Sequence, residues 1–220
     1  MLKKIFIFGL GKFGNALANN LLEQSGIDLE LIDKEQNQID KFKEYNITLH
    51  PINTEKKIDI EEIGLGPKDI CMVLIGTNIG SSVITVQNLL DLKIENIYVQ
   101  VINSQHKKIV ESLGIKNFID PNKLAAQKIG FEIAKDLKII YFEEQNYICR
   151  VKNIKIHGKK IDELKLREKH EINLLLIKRP IKENKSQLIQ PGPETTIEKN
   201  DELILWVPKE KIDKITGIFK

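Results

Sequence analysis

The sequence predicts an α/β fold: a Rossmann-like, doubly wound parallel sheet, then a crossover helix and a small α+β module. Three observations carry this. Apolar β-rich runs alternate with helical patterns up to about residue 119, and strands alternating with helices imply right-handed βαβ units in a parallel sheet. Several of those runs, such as "IFIF" and "ICMVLI", are apolar at every position, as strands covered on both faces are. After Pro121 the pattern changes to one helical stretch, then short strands and turns.

In chain order, strands are expected at Lys4–Phe8, Leu29–Ile32, Thr48–His50, Ile70–Ile75, Ile97–Val101 and Phe118–Ile119. Helices begin between them near Lys12, Glu35, Glu55, Ile79 and Ser104. Six strands complete a doubly wound nucleotide-binding fold. Residues 122–138 read as one helix, with Leu124, Ile129, Ile133, Ala134 and Leu137 as its apolar positions. The first domain is therefore expected to cover 1–138, crossover helix included, and the second 139–220. In the second, strands are expected near 147–154, 172–178, 186–190 and 202–207, and helices near 160–166 and 208–218.

Composition narrows the class. Hydrophobic residues make up 41% and charged residues 30% of 220, which fits a globular protein rather than a disordered one. The net charge of +3 is spread along the chain, and with no helix-turn-helix or basic stripe it argues against nucleic acid. The longest apolar runs, such as "NLLLI" at 173–177, are too short to span a bilayer. The opening "MLKKIFIFGLG" runs into a glycine turn and reads as a first strand, not a signal peptide. Two cysteines, Cys71 and Cys149, without metal spacing fit a reducing cytoplasm.

Gly9, Gly11 and Gly14 form G-x-G-x-x-G after the first strand and at the start of a helix. The first glycine permits the tight turn, the second lets backbone approach a pyrophosphate, and the third lets the helix pack close to the sheet. The helix then aims free N–H groups at the phosphates. Asp33 ends the second strand, 19 residues after Gly14. A carboxylate there holds both ribose hydroxyls and disfavours a 2′-phosphate. NAD(H), ATP and ADP all satisfy this. Lys12 is either a terminal-phosphate ligand or a solvated lysine at the helix start.

No catalytic constellation accompanies the turn. The four histidines, His50, His106, His157 and His170, stand apart from any nucleophile or metal-ligand pattern. A binding or sensing role is therefore expected rather than an enzyme. The alternative is an NAD-dependent oxidoreductase with an unrecognised catalytic group.

With "IFGLGKFGNALA", Asp33, "NTEKKIDIEEIGLGPKDICMVLIGTN" at 53–78 and the C-terminal module, the chain resembles the RCK family. It is most similar to the KtrA and TrkA gating subunits of bacterial potassium uptake systems. The resemblance implies a cytoplasmic, nucleotide-sensing subunit, forming dimers that assemble into a ring such as an octamer. It also implies docking on the inner face of the cell membrane through a KtrB- or TrkH-like potassium transporter subunit. By position, Gly9, Leu10, Gly11, Lys12, Phe13 and Gly14 would face the phosphates, and Asp33 the ribose. Asn53 and Thr54 would lie near the adenine, and Gly76, Thr77 and Asn78 would contact ligand at the topological switch point. The other reading of "GTN" is a polar turn with an N-cap.

Two departures concern a divalent cation. Relatives that prefer ATP often carry an acidic residue where "DPNK" has Asn122, a weaker ligand for a hard cation. They often carry Thr where this chain has Glu55. In the C-terminal lobe the resemblance implies dimerisation and cyclic di-AMP binding by Leu164, Arg167, Ile172, Asn173 and Pro191. There Arg can pair with phosphate in a fork.

Overall fold

A computed structural model describes residues 2–135, 137–143, 145–181 and 185–219. They form two compact units, Met1–Pro121 and Asn122–Lys220.

In the first unit the strands are β1 (Lys3–Phe8), β2 (Ile27–Ile32), β3 (Thr48–His50), β4 (Ile70–Val73), β5 (Asn96–Gln100) and β6 (Asn117–Ile119). All pair in parallel in the order β3-β2-β1-β4-β5-β6. The helices are α1 (Lys12–Leu22), α2 (Gln36–Ile39), α3 (Lys57–Glu61), α4 (Ile79–Asp91) and α5 (Ser104–Ser112). The apolar run of β1 divides between two cores. Ile5 and Ile7 pack with Leu17 and Ala18 of α1 and Ile39 of α2. Phe6 and Phe8 pack with Ile60 of α3, Val86 and Leu89 of α4 and Val110 of α5. Two-sided cover is the reason the strand is apolar at consecutive positions. The strand order reverses between β1 and β4, which opens a crevice beyond their carboxyl ends.

The second unit holds an antiparallel sheet ordered β10-β9-β11-β8-β7. Its strands are β7 (Lys138–Glu143), β8 (Asn146–Lys152), β9 (Asn173–Pro180), β10 (Ser186–Ile189) and β11 (Glu202–Pro208). Helix α6 (Pro121–Lys135) leads into it, and α7 (Ile161–Leu164), α8 (Leu166–His170) and α9 (Ile215–Phe219) follow. Alternate residues Tyr147, Cys149 and Val151 of β8 and Leu203, Leu205 and Val207 of β11 face one core. Phe131 of α6 meets Tyr147 edge-on at 5.1 Å.

Some boundaries depart from expectation. Helix α6 stops at Lys135, and the β-branched, aromatic run "IIYF" forms β7, a strand absent from the sequence reading. The helix expected at 160–166 is two short ones, broken where Lys165 adopts φ 47°. The expected 208–218 helix opens as a 3-10 segment, Lys209–Lys214. The fourth strand ends at Val73, two residues early. Among the described residues no helix is long and apolar enough to cross a membrane.

Candidate functional site

The loop after β1 is built by steric necessity. Gly9 has φ +100°, and a Cβ there would stand 3.1 Å from the Leu74 carbonyl carbon. A Cβ on Gly14 would stand 2.0 Å from the Gly9 carbonyl oxygen, so only glycine allows α1 to lie this close. Gly11 is different: its φ is an ordinary −68° and nothing lies within 4 Å of an added Cβ. It caps α1 without a side-chain hydrogen bond, and no acidic residue occupies the first turn. The amino end of this eleven-residue helix therefore opens into free space with its N–H donors uncapped.

Asp33 is tied to the loop. Its Oδ2 accepts from the Leu10 N–H at 2.6 Å and its Oδ1 from the Glu35 N–H at 2.8 Å. Each carboxylate oxygen keeps a second lone pair able to accept a further hydrogen bond. The Leu10 side chain is fully buried in the core, so Leu10 reaches the loop surface only through its backbone. Phe13 also packs on that core, while Lys12 is exposed.

Around the crevice the other expected residues divide. Asn53 Oδ1 accepts from the Glu55 N–H in a tight turn. Thr54 is buried, with its hydroxyl 2.8 Å from that of Thr85; its side chain joins this loop to α4. Ser81 Oγ donates to Glu55 at 2.6 Å. Thr77 is exposed. Asn78 caps α4, accepting from the Ser81 N–H at 3.1 Å, which fits the N-cap reading of "GTN". Gly76 faces the Gln100 amide: a Cβ there would lie 2.9 Å from Gln100 Nε2, so the Gln100 side chain would have to shift.

Gln100 was missed from sequence. It ends β5, next to β4 in the sheet, and its buried Oε1 has no hydrogen-bond partner. The available signal was a polar residue at the carboxyl end of an apolar strand beside the switch point. An unpaired buried acceptor is costly, so Gln100 supplies an acceptor suited to a ligand N–H or O–H donor.

Asn122 is exposed in the first turn of α6, in the second unit. Among the described residues no group of three His, Cys, Asp or Glu is placed to hold a metal ion. Burial raises both cysteine thiols, Cys149 to about 12, which suits them to packing rather than chemistry.

In the second unit, Arg167, Ile172, Asn173 and Pro191 line one cavity of about 320 Å³, within the usual size range of small-molecule sites. Asp162 and Lys165 lie on its wall. Leu164 instead packs against the core and does not line the cavity. Leu166 and Ile172 are buried apolar contacts of the cavity, and Arg167 is exposed.

Comparisons with known proteins cover both units. A TrkA-N domain model matches residues 5–121 and a TrkA-C domain model residues 150–220. The chain is 26% identical over 211 residues to the Ktr system potassium uptake protein C of Bacillus subtilis (strain 168), covering 93% of this chain and 92% of that one. To the Ktr system potassium uptake protein A of the same organism it is 25% identical over 215 residues, covering 96% and 95%. Among solved structures, the GsuK channel superposes with a TM-score of 0.67 at 13% identity, over 100% of this chain and 40% of that one. The GsuK channel bound to NAD gives 0.66 at 14% identity, again with 40% of that chain covered.

Proposed function

This chain belongs to the TrkA-N/TrkA-C family, the KtrA/TrkA type of RCK protein, and on that premise we propose that it is a nucleotide-sensing regulatory subunit that gates a membrane potassium transporter. The carrying observation is the G-x-G-x-x-G loop pinned to Asp33 by the Leu10 N–H, in front of an uncapped helix. That arrangement offers N–H donors and a helix dipole to a pyrophosphate and a carboxylate to a ribose. Similarity along nearly the whole length to two Ktr potassium uptake proteins supports the transport role.

The first lobe, 1–138, takes ATP, ADP or NAD(H), with the NAD-bound GsuK neighbour supporting NAD(H). The contacts are Gly9 to Gly14 through backbone, Asp33 at the ribose, and Gly76, Thr77 and Asn78 at the crevice. Lys12 and Gln100 are the polar side chains available to the remaining groups. The second lobe, 139–220, dimerises and takes cyclic di-AMP in the cavity beside Arg167. Dimers assemble into a ring at the cytoplasmic face, held there by the transporter subunit. Gating is linkage: a ligand shifts the ring only by its differential affinity for two shapes, typically about 1–3 kcal/mol.

Thermal denaturation with ATP, ADP, NAD, NADH and cyclic di-AMP in separate samples tests the reading. A true ligand at 100 times its Kd should stabilise by about 2.7 kcal/mol. No stabilisation by any nucleotide would refute nucleotide sensing. Saturable NADH oxidation with carbonyl substrates would favour the oxidoreductase alternative.

A further inference from the structure

A second, smaller cavity of about 50 Å³ lies in the second unit, lined by Lys169, His170, Ile172, Lys211, Lys214 and Ile218. Two separate elements supply its basic groups. Lys169 and His170 end α8. Lys211 and Lys214 lie three apart in the 3-10 segment Lys209–Lys214, and a 3-10 helix has three residues per turn, so both project from one side. Ile172 and Ile218 give the cavity an apolar wall, where charge interacts more strongly than in open water.

The charges are poorly matched. Lys211 Nζ pairs with Glu171 Oε1 at 3.2 Å. Among the described residues the side chains of Lys169, His170 and Lys214 have no hydrogen bond or ion pair, and no carboxylate lines the cavity. Of the three lysines that line the cavity, only Lys211 has a carboxylate partner, Glu171. Gathering like charges is unfavourable unless an anion compensates.

We propose that this cavity is an oxyanion site, taking one phosphate-type group between Lys169, His170, Lys211 and Lys214. Its volume suits a single such group and not a nucleoside. Ammonium groups from two walls suit a tetrahedral, multiply charged oxyanion, whereas a planar carboxylate is better met by an arginine fork. The site is distinct from the larger cavity beside Arg167, with which it shares Ile172. Its phosphate group could come from free inorganic phosphate or from an anionic lipid headgroup.

The test uses the full chain. Inorganic phosphate is titrated calorimetrically at ionic strength held constant with chloride, and binding is also measured to phosphatidylcholine vesicles with and without phosphatidic acid. Wild type should bind one phosphate per chain saturably, or bind only the acidic vesicles if the lipid is the source. The double variant Lys169→Gln/Lys214→Gln, which changes two side chains without partners, should lose at least about tenfold in affinity, roughly 1.4 kcal/mol. The exposed-lysine control Lys199→Gln should lose less than twofold. Failure of both ligands to bind wild type, equal affinity of the double variant, or an equal loss in the control would overturn the proposal.

Discussion

The Leu10 N–H and the Asp33 carboxylate meet at 2.6 Å, joining the glycine loop to the end of β2 across 23 residues. One contact thus sets both the loop's shape and the carboxylate's aim. Asp33→Ala should fold with a loss of about 1.5–3 kcal/mol, the worth of hydrogen bonds to a charged group, and should lose nucleotide binding. Calorimetry and urea denaturation on one preparation measure both. Wild-type nucleotide affinity in a folded variant would remove Asp33 from the ribose.

The glycines of the loop should separate into structural and ligand-facing. Gly14→Ala drives a methyl to 2.0 Å from the Gly9 oxygen and should cost about 3 kcal/mol or more. Gly11→Ala enters open space at a helical φ and should leave stability within about 1 kcal/mol, yet weaken nucleotide binding. If Gly11→Ala binds as well as wild type, no phosphate lies against that backbone.

Arg167 is the arginine of the larger cavity in the second unit, whose wall also carries Lys165. Arg167→Ala should weaken cyclic di-AMP binding by at least about tenfold, the loss of one charge-assisted contact. Arg167→Lys should recover little, because an ammonium lacks the planar fork. Titration of the three proteins at one salt concentration decides it, and full recovery by lysine would rule out a fork.

His106 gives a pH dependence. It is fully buried, its Nδ1 accepts from the Ile102 N–H at 3.3 Å, and its Nε2 has no hydrogen-bond partner. Burial lowers its pKa from 6.5, so the folded state holds the ring neutral. The associated stability is present above pH 6.5 and is lost as pH falls below 6.5 towards the folded value, by at most about 1.36 kcal/mol per pH unit. His106→Gln should remove this component. Urea midpoints at about pH 7.5 and 5.5 test it, and identical pH losses in both proteins would assign the effect elsewhere.

Much of the first unit was legible because its constraints are local. The run "IFIF" reads as a two-sided strand since consecutive residues must enter two cores. The second unit was less so. β7 abuts a helical pattern with only a short β-rich run to mark it, and it is stabilised by pairing with β8. Lys165 and Glu171 carry left-handed backbone that no glycine announces.

By itself the sequence determined the parallel α/β order, the glycine loop and the acidic end of β2. Each follows from side-chain period and backbone sterics among near neighbours. Only the tertiary structure decided that Thr54 turns inward to Thr85, 31 residues away. It alone left Gln100 Oε1 buried without a partner beside Gly76, and gathered lysines from α8 and the 3-10 segment around one cavity. Those outcomes depend on which surfaces close-pack across long sequence separations, and no local pattern encodes that choice.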